Sequence, residues 1–195
     1  MVHVLEKGLK MSNPNENTPA KLIIENAYIM PRPWRNFSGS ANKYNSAGNR
    51  NFMVKINPDD VEEMVNAGWT IKERVNRNDE NVSDYFLKVR VRWHDDIPVE
   101  DDRTKLYLVN PDAKTKTLLT PETVSVLDYA AIQSADLVIN PNHYIMDSPD
   151  GSRREGNSAY LESGYFVLES SPFDEKYSDF NDGENNPSDD EEIPF

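Results

Sequence analysis

Between Tyr85 and Trp93 every second residue is apolar and bulky. Tyr85, Leu87, Val89, Val91 and Trp93 alternate with Phe86, Lys88, Arg90 and Arg92. Successive side chains of a β-strand point to opposite faces, so this stretch reads as a strand with one face in a core and three cations side by side on the other. At two residues per repeat the charged heads stand about 6.6 Å apart, a spacing that suits the phosphates of an extended nucleic-acid strand. The same spacing also suits an ordinary solvated sheet face.

The rest of the chain organises around that strand. Lys21 to Ile29 reads as a first strand stopped by Pro31 and Pro33, and Asn51 to Ile56 as a second, with Phe52, Val54 and Ile56 on one face. Asn57 as N-cap, Pro58, Asp59 and Asp60 in the first turn, Val61, Met64 and Val65 on one side and Gly68 as the stop predict a short helix. Trp69 to Val75 and Thr104 to Asn110 resume alternation, and a second short helix is expected from Thr120 with Pro121 inside it. Two longer β segments, about Ala135 to Met146 and Ala159 to Glu169, flank a turn at Asp147 to Asn157. At least six strands, two inserted helices and no regular strand–helix alternation point to a mainly β, mostly antiparallel barrel or sandwich.

Length allows one such domain with loose ends. We expect a disordered arm over residues 1–20, a folded domain over 21–172 and a disordered acidic tail over 173–195. The net charge of −13 would argue against a polyanionic partner if it were spread evenly, but it is not. Of 34 acids nine, and of 21 bases one, lie in Asp174 to Phe195, which leaves 25 acids and 20 bases on the body. A cationic groove on that body is therefore compatible with the overall acidity. The chain has no cysteine, hence no disulfide and no thiolate chemistry, and no apolar run near the roughly 20 residues of a membrane span. We expect a soluble, cytoplasmic protein.

The loop from Pro31 to Asn49 and its exit mix rings and cations, Trp34, Arg35, Phe37, Lys43, Tyr44 and Arg50, with Asn, Ser and Gly. Aromatics in so polar a loop are hard to bury together, so some of them are expected as platforms on which bases stack while the cations follow the backbone. Trp34 and Phe37 could equally plug the end of the barrel. Lys105 and Tyr107 join the candidate set from the next strand, with Tyr144 and Tyr160 as weaker members of the same kind. The expected DNA-binding set is thus Trp34, Arg35, Phe37, Lys43, Tyr44, Arg50, Lys88, Arg90, Arg92, Lys105 and Tyr107.

The chain ends Asp189-Asp190-Glu191-Glu192-Ile193-Pro194-Phe195. A solvating acidic tail gains nothing from an apolar tip, whereas a docking peptide can seat Phe195 in a pocket while its carboxylate and the preceding acids meet basic residues. This tip resembles that of bacterial single-stranded DNA-binding proteins. The body, through Arg35 to Gly39, Tyr44 to Phe52 and the Leu87 to Trp93 strand, resembles the phage replication type over about residues 21 to 170. The resemblance implies an oligonucleotide-binding fold, a five-stranded barrel. It implies coating and protection of single-stranded DNA without sequence preference during replication, recombination and repair, and recruitment of host or phage proteins by the tip. Monomer and homodimer both stay open.

No phosphate-binding glycine loop, dinucleotide fingerprint or nucleophile elbow occurs, and His3, His94 and His143 are far apart. His94, Asp95 and Asp96 with Glu100, Asp101 and Asp102 have the oxygen chemistry of a Mg²⁺ site, but an acidic turn around Pro98 reads more simply as a solvated loop. We expect neither catalysis, nor metal, nor cofactor. The rival reading is an adaptor or nucleic-acid mimic that binds no DNA and acts through the acidic tail, and an enzyme acting on nucleic acid comes third.

Overall fold

The computed structural model describes residues 2–4, 20–43, 45–75, 83–111, 114–147 and 151–169. In chain order the elements are β1 (Val2–Val4), β2 (Leu22–Ala27), β3 (Arg35–Asn36), β4 (Arg50–Ile56), α1 (Pro58–Asn66), β5 (Ile71–Val75), β6 (Ser83–Val91), β7 (Lys105–Asn110), β8 (Thr115–Leu119), α2 (Val126–Tyr129), β9 (Ile132–Asp147) and β10 (Arg153–Leu168).

Five of these strands close a ring. β2 pairs with β9, β9 with β10, β10 with β6 and β6 with β4. The chain leaving β2 then returns to β4 through an Ile29–Val54 bridge, flanked by bonds from Lys55 N to the Tyr28 carbonyl (3.0 Å) and from Met30 N to the Met53 carbonyl (2.9 Å). Numbered along the chain, the ring runs first, second, third, fifth, fourth. Its third and fifth members, β6 and β10, are parallel, with Ala159 beside Val89 and Tyr160 beside Arg90. That closed, Greek-key ring is the oligonucleotide-binding fold. β5 extends the edge of β6 beyond β10, β7 and β8 extend β10 beyond β6, and β1 adds to β2 within the segment expected to be an arm.

The inner faces follow the alternation that the sequence carries. Leu22, Val54, Leu87, Val89, Leu106, Leu137 and Ile139 are fully buried, around Phe37, Phe52 and Phe166. Phe37 stacks on Phe52 at 4.9 Å between centroids, and Phe166 meets both edge-on at 5.5 and 6.1 Å. Each such pair contributes about 0.5–1.5 kcal/mol beyond the area it buries. α1 forms as its caps dictate: the Asn57 side chain accepts from Asp59 N, Pro58 opens the helix, and Gly68 at φ +92° ends it. Only Met64 of this helix is buried.

The second helix departs from expectation, starting at Val126 rather than Thr120. Thr120 Oγ1 donates to Glu122 Oε2 (2.6 Å) and Thr120 N to Thr123 Oγ1 (2.8 Å), and such local side-chain bonds hold the backbone in turns instead. β3 and β8 were not foreseen. β3 is two residues long, and β8 buries only Leu119, so neither has a periodic face to read. The acidic tail expected over 173–195 lies outside the described residues. Among the described residues no helix is long and apolar enough to cross a membrane.

Candidate nucleic-acid interface

The outer face of β6 carries Phe86, Lys88 and Arg90, with Arg92 just past its end, and strand register sets what stands beside the three. Across β4, Lys55 faces Phe86, Met53 faces Lys88 and Asn51 faces Arg90. Across β5, Lys72 lies opposite Phe86 and Arg74 opposite Asp84. Tyr160 of β10 lies opposite Arg90, whose guanidinium is 5.9 Å from the centre of the ring. Lys55 is neutralised by Asp84 at 2.9 Å. Among the described residues no carboxylate comes within ion-pair distance of Lys72, Arg74, Lys88, Arg90 or Arg92. Partial burial, and then the charges of Lys72 and Arg90, push the Lys88 ammonium below the ordinary lysine value. Among the described residues the face is thus self-repelling and has no carboxylate as counter-ion.

Trp34 completes this face. Its backbone N–H donates to the Pro31 carbonyl in a turn, and its own carbonyl accepts from Met53 N, both at 3.0 Å. The turn lays the indole parallel to Phe86, at 6.2 Å and an interplanar angle of 6°, with the Arg74 guanidinium 5.0 Å from its centre. Phe86 is buried beneath it.

Beside the ring pair opens a cleft of about 380 Å³, walled by Asn45, Ser46 and Asn49 of the loop and by Arg50, Lys88, Arg90, Arg92 and Tyr160. The loop owes its shape to its asparagines. Asn45 Nδ2 donates to the Asn49 carbonyl at 2.7 Å while its Oδ1 accepts from Asn51 Nδ2 at 3.0 Å, and Asn36 Oδ1 accepts from Ser40 N at 3.0 Å. At Gly39, with φ +71°, a Cβ would meet Arg50 Cγ at 3.0 Å, so only glycine lets the loop lie against the arginine stem. Arg50 reaches over Trp93, 5.4 Å from the ring centre.

Of the residues expected from sequence, Arg50, Lys88, Arg90 and Arg92 line this cleft, and Trp34 stands over Phe86 on the same outer face. Lys43 is exposed on the same loop, and Tyr44 lies outside the described residues, as do Asp189, Asp190, Glu191, Glu192, Ile193, Pro194 and Phe195. Four expected residues are corrected. Phe37 is fully buried in the aromatic core, with no face for a base. Arg35, 8% exposed, turns inward because β3 pairs it with Phe52, and it donates to the carbonyls of Asp128 and Ala130. Lys105 and Tyr107 do not join the cleft either. Lys105 Nζ donates to the Val99 carbonyl at 2.6 Å and to that of Glu100, capping the acidic turn. Tyr107 stacks on Tyr165 at 5.0 Å, five residues or about 16 Å along β10 from Tyr160.

Lys72, Arg74 and Phe86 escaped the sequence reading. The two cations alternate within a stretch already read as a strand, so their period was the available signal. In the acidic turn Asp102 is a staple. Burial would raise its carboxyl, but bonds from Thr104 N, His94 N and the His94 ring outweigh that and lower it.

Solved structures that align with the chain include two from one bacteriophage. One is a single-stranded DNA-binding protein from bacteriophage Enc34 with a C-terminal truncation, at 10% identity and a TM-score of 0.46, covering 87% of this chain and 99% of that one. The other is the single-stranded DNA-binding protein from bacteriophage Enc34 in complex with ssDNA, at 10% identity and a TM-score of 0.44, covering 81% and 98%. No curated protein matches the sequence. The family model for the phage ssDNA-binding domain matches residues 11–192, and the chain belongs to that family.

Proposed function

We propose that this protein coats single-stranded DNA without sequence preference, without catalysis, in the cytoplasm of a bacterial host during replication, recombination and repair. The observation that carries the reading is the row of cations on β5 and β6 that no described carboxylate neutralises, bordered by Trp34 and Tyr160. Phosphates supply the missing counter-charge, and unpaired bases, which every sequence offers, stack on rings.

Fluorescence anisotropy of labelled oligo(dT) across a salt titration tests this. We expect affinity to fall with salt at a log–log slope of about −0.7 per phosphate engaged, with little difference between oligo(dT) and mixed sequence. Absence of binding in dilute buffer would refute it and favour the adaptor reading.

The pH dependence follows from Lys88. Its ammonium is held below the ordinary lysine value by burial, Lys72 and Arg90, so it loses its proton before an exposed lysine does. DNA affinity is expected to start falling below the ordinary lysine range as pH rises, and Lys88→Arg to flatten that fall. Folding disfavours the charged form, so stability is expected to rise over the same window, between the lowered folded value and the ordinary unfolded one. A pH profile identical in wild type and Lys88→Arg would contradict this assignment.

The tip Asp189 to Phe195 is proposed to dock replication or recombination proteins. Tethered to the body, the acidic tail reaches a high local concentration near the cationic face and competes with DNA there. Deleting residues 174–195 is expected to tighten oligonucleotide binding, most at low salt, and to abolish partner recruitment. An unchanged affinity across the salt series would rule out competition.

A further inference from the structure

The turn at Pro31 that aims Trp34 at Phe86 also aims Arg32 the other way. Its guanidinium lies 4.6 Å from the centre of the Tyr129 ring. Tyr129 is 75% exposed and Tyr28 is 53% exposed, a large aromatic area for a surface to leave in water. This patch is continuous with the cleft face. Ile29 bridges Val54 and both point into the core, so their neighbours Tyr28 and Lys55, joined by the Lys55 N to Tyr28 carbonyl bond, point outward on the same wall. Underneath, the bonds from Arg35 to the carbonyls of Asp128 and Ala130 fix α2 against the turn, so Tyr129 is held in place although its ring is exposed. The carboxylate of Asp128 is turned inward onto Phe37 N and Ser38 N, so it does not oppose the charge that Arg32 presents beside Tyr129.

We infer that Tyr28, Arg32 and Tyr129 form a second stacking subsite, which takes the nucleotides of a bound single strand that extend past Trp34. The inference rests on the proposed role of the β4–β6 face. An arginine laid on a tyrosine ring gives a base a flat platform and gives its phosphate a cation, the pair of contacts that recognises an unpaired nucleotide. Continuity with the cation row of β5 and β6 favours a polyanion here over a protein partner. From Tyr160 to the segment carrying Tyr28 the strand crosses β6 and β4, three inter-strand steps of about 4.8 Å, and α2 lies beyond. An oligonucleotide of about three nucleotides, two steps of about 6.6 Å, seated in the cleft therefore stops short of Tyr129, and one of about 15 reaches it.

Anisotropy with oligo(dT) of about 3 and about 15 nucleotides, the second within the range of single-domain site sizes, separates the two subsites. Tyr129→Ala is expected to weaken binding of the long oligonucleotide about tenfold and to leave the short one unchanged, while Tyr129→Phe keeps wild-type affinity for both. Arg32→Ala is expected to reduce the salt slope by about 0.7 for the long oligonucleotide only. Tyr129 is exposed, so the fold survives its removal, and a thermal melt of each variant checks this. If Tyr129→Ala affects both lengths equally or neither, the subsite is refuted, the latter being the result expected of a protein-docking patch. If Arg90→Glu also leaves both lengths unaffected, it is the reading of the β4–β6 face that has failed.

Discussion

Replacing Asp128 by alanine is expected to lower the stability of the folded chain by about 3–5 kcal/mol, near the upper end for a single substitution. The residue is 4% exposed. Its two carboxylate oxygens accept from Phe37 N at 2.6 Å and Ser38 N at 2.9 Å, which fixes the start of the Asn-rich loop against α2. Its charge also faces Arg35. Burial is the main influence lowering that guanidinium from its ordinary value, Asp128 is the counter-charge opposing the shift, and Arg32 adds to it. Alanine strands two backbone donors, at about 1–3 kcal/mol each, and leaves a buried cation facing its own kind. An asparagine at this position keeps one acceptor but turns an N–H₂ toward a backbone donor, so Asp128→Asn should fall between wild type and the alanine variant. Urea denaturation of the three proteins measures the order. A loss under about 1 kcal/mol for alanine would mean that the loop is held by its own asparagines and not by this staple.

That staple also marks where the sequence stopped being readable. The faces of β6 and β4 were legible because alternation is a local property: once Val89 and Val54 are inside, Lys88 and Lys55 are outside. The α1 caps were legible for the same reason, as Asn57 and Pro58 act on backbone groups within two or three residues. The direction of Arg35 was not. It is set by pairing with Phe52 and by acceptors 93 and 95 residues away, so nothing near Arg35 in the chain distinguishes a buried guanidinium from an exposed one. Phe37 followed it inward, two residues on. Tyr107 illustrates a different limit. Its strand face was read correctly, but β10 is 16 residues long, and one outward face of it borders β6 at Tyr160 and β7 at Tyr165. Two outward rings on one barrel are therefore not necessarily one site.

Charge reversal at Arg90 is the sharpest test of whether the cation row is a working surface. Arg90 is exposed, faces Tyr160 and Asn51, and stands between Lys88 and Arg92 on its strand. Glutamate there removes one phosphate contact and opposes another, so the log–log salt slope should shrink by about 1.4; with curves that meet near 1 M salt, this is a loss of about 25-fold at 0.1 M and several hundredfold at 0.01 M. Arg90→Gln, which removes the charge without reversing it, should lose about fivefold at 0.1 M, and every sequence should be affected alike. Stability is expected to move the other way. Arg90 contributes to the crowding that disfavours charged Lys88, so a glutamate relieves the repulsion and leaves the fold equally or more stable. A residue retained for structure would lose stability and affinity together. Affinity lost while stability is kept or gained, measured on one preparation by anisotropy and by urea denaturation, is what a face kept positive for a ligand must give, and a variant that loses stability without losing salt-dependent affinity would show the row to be structural.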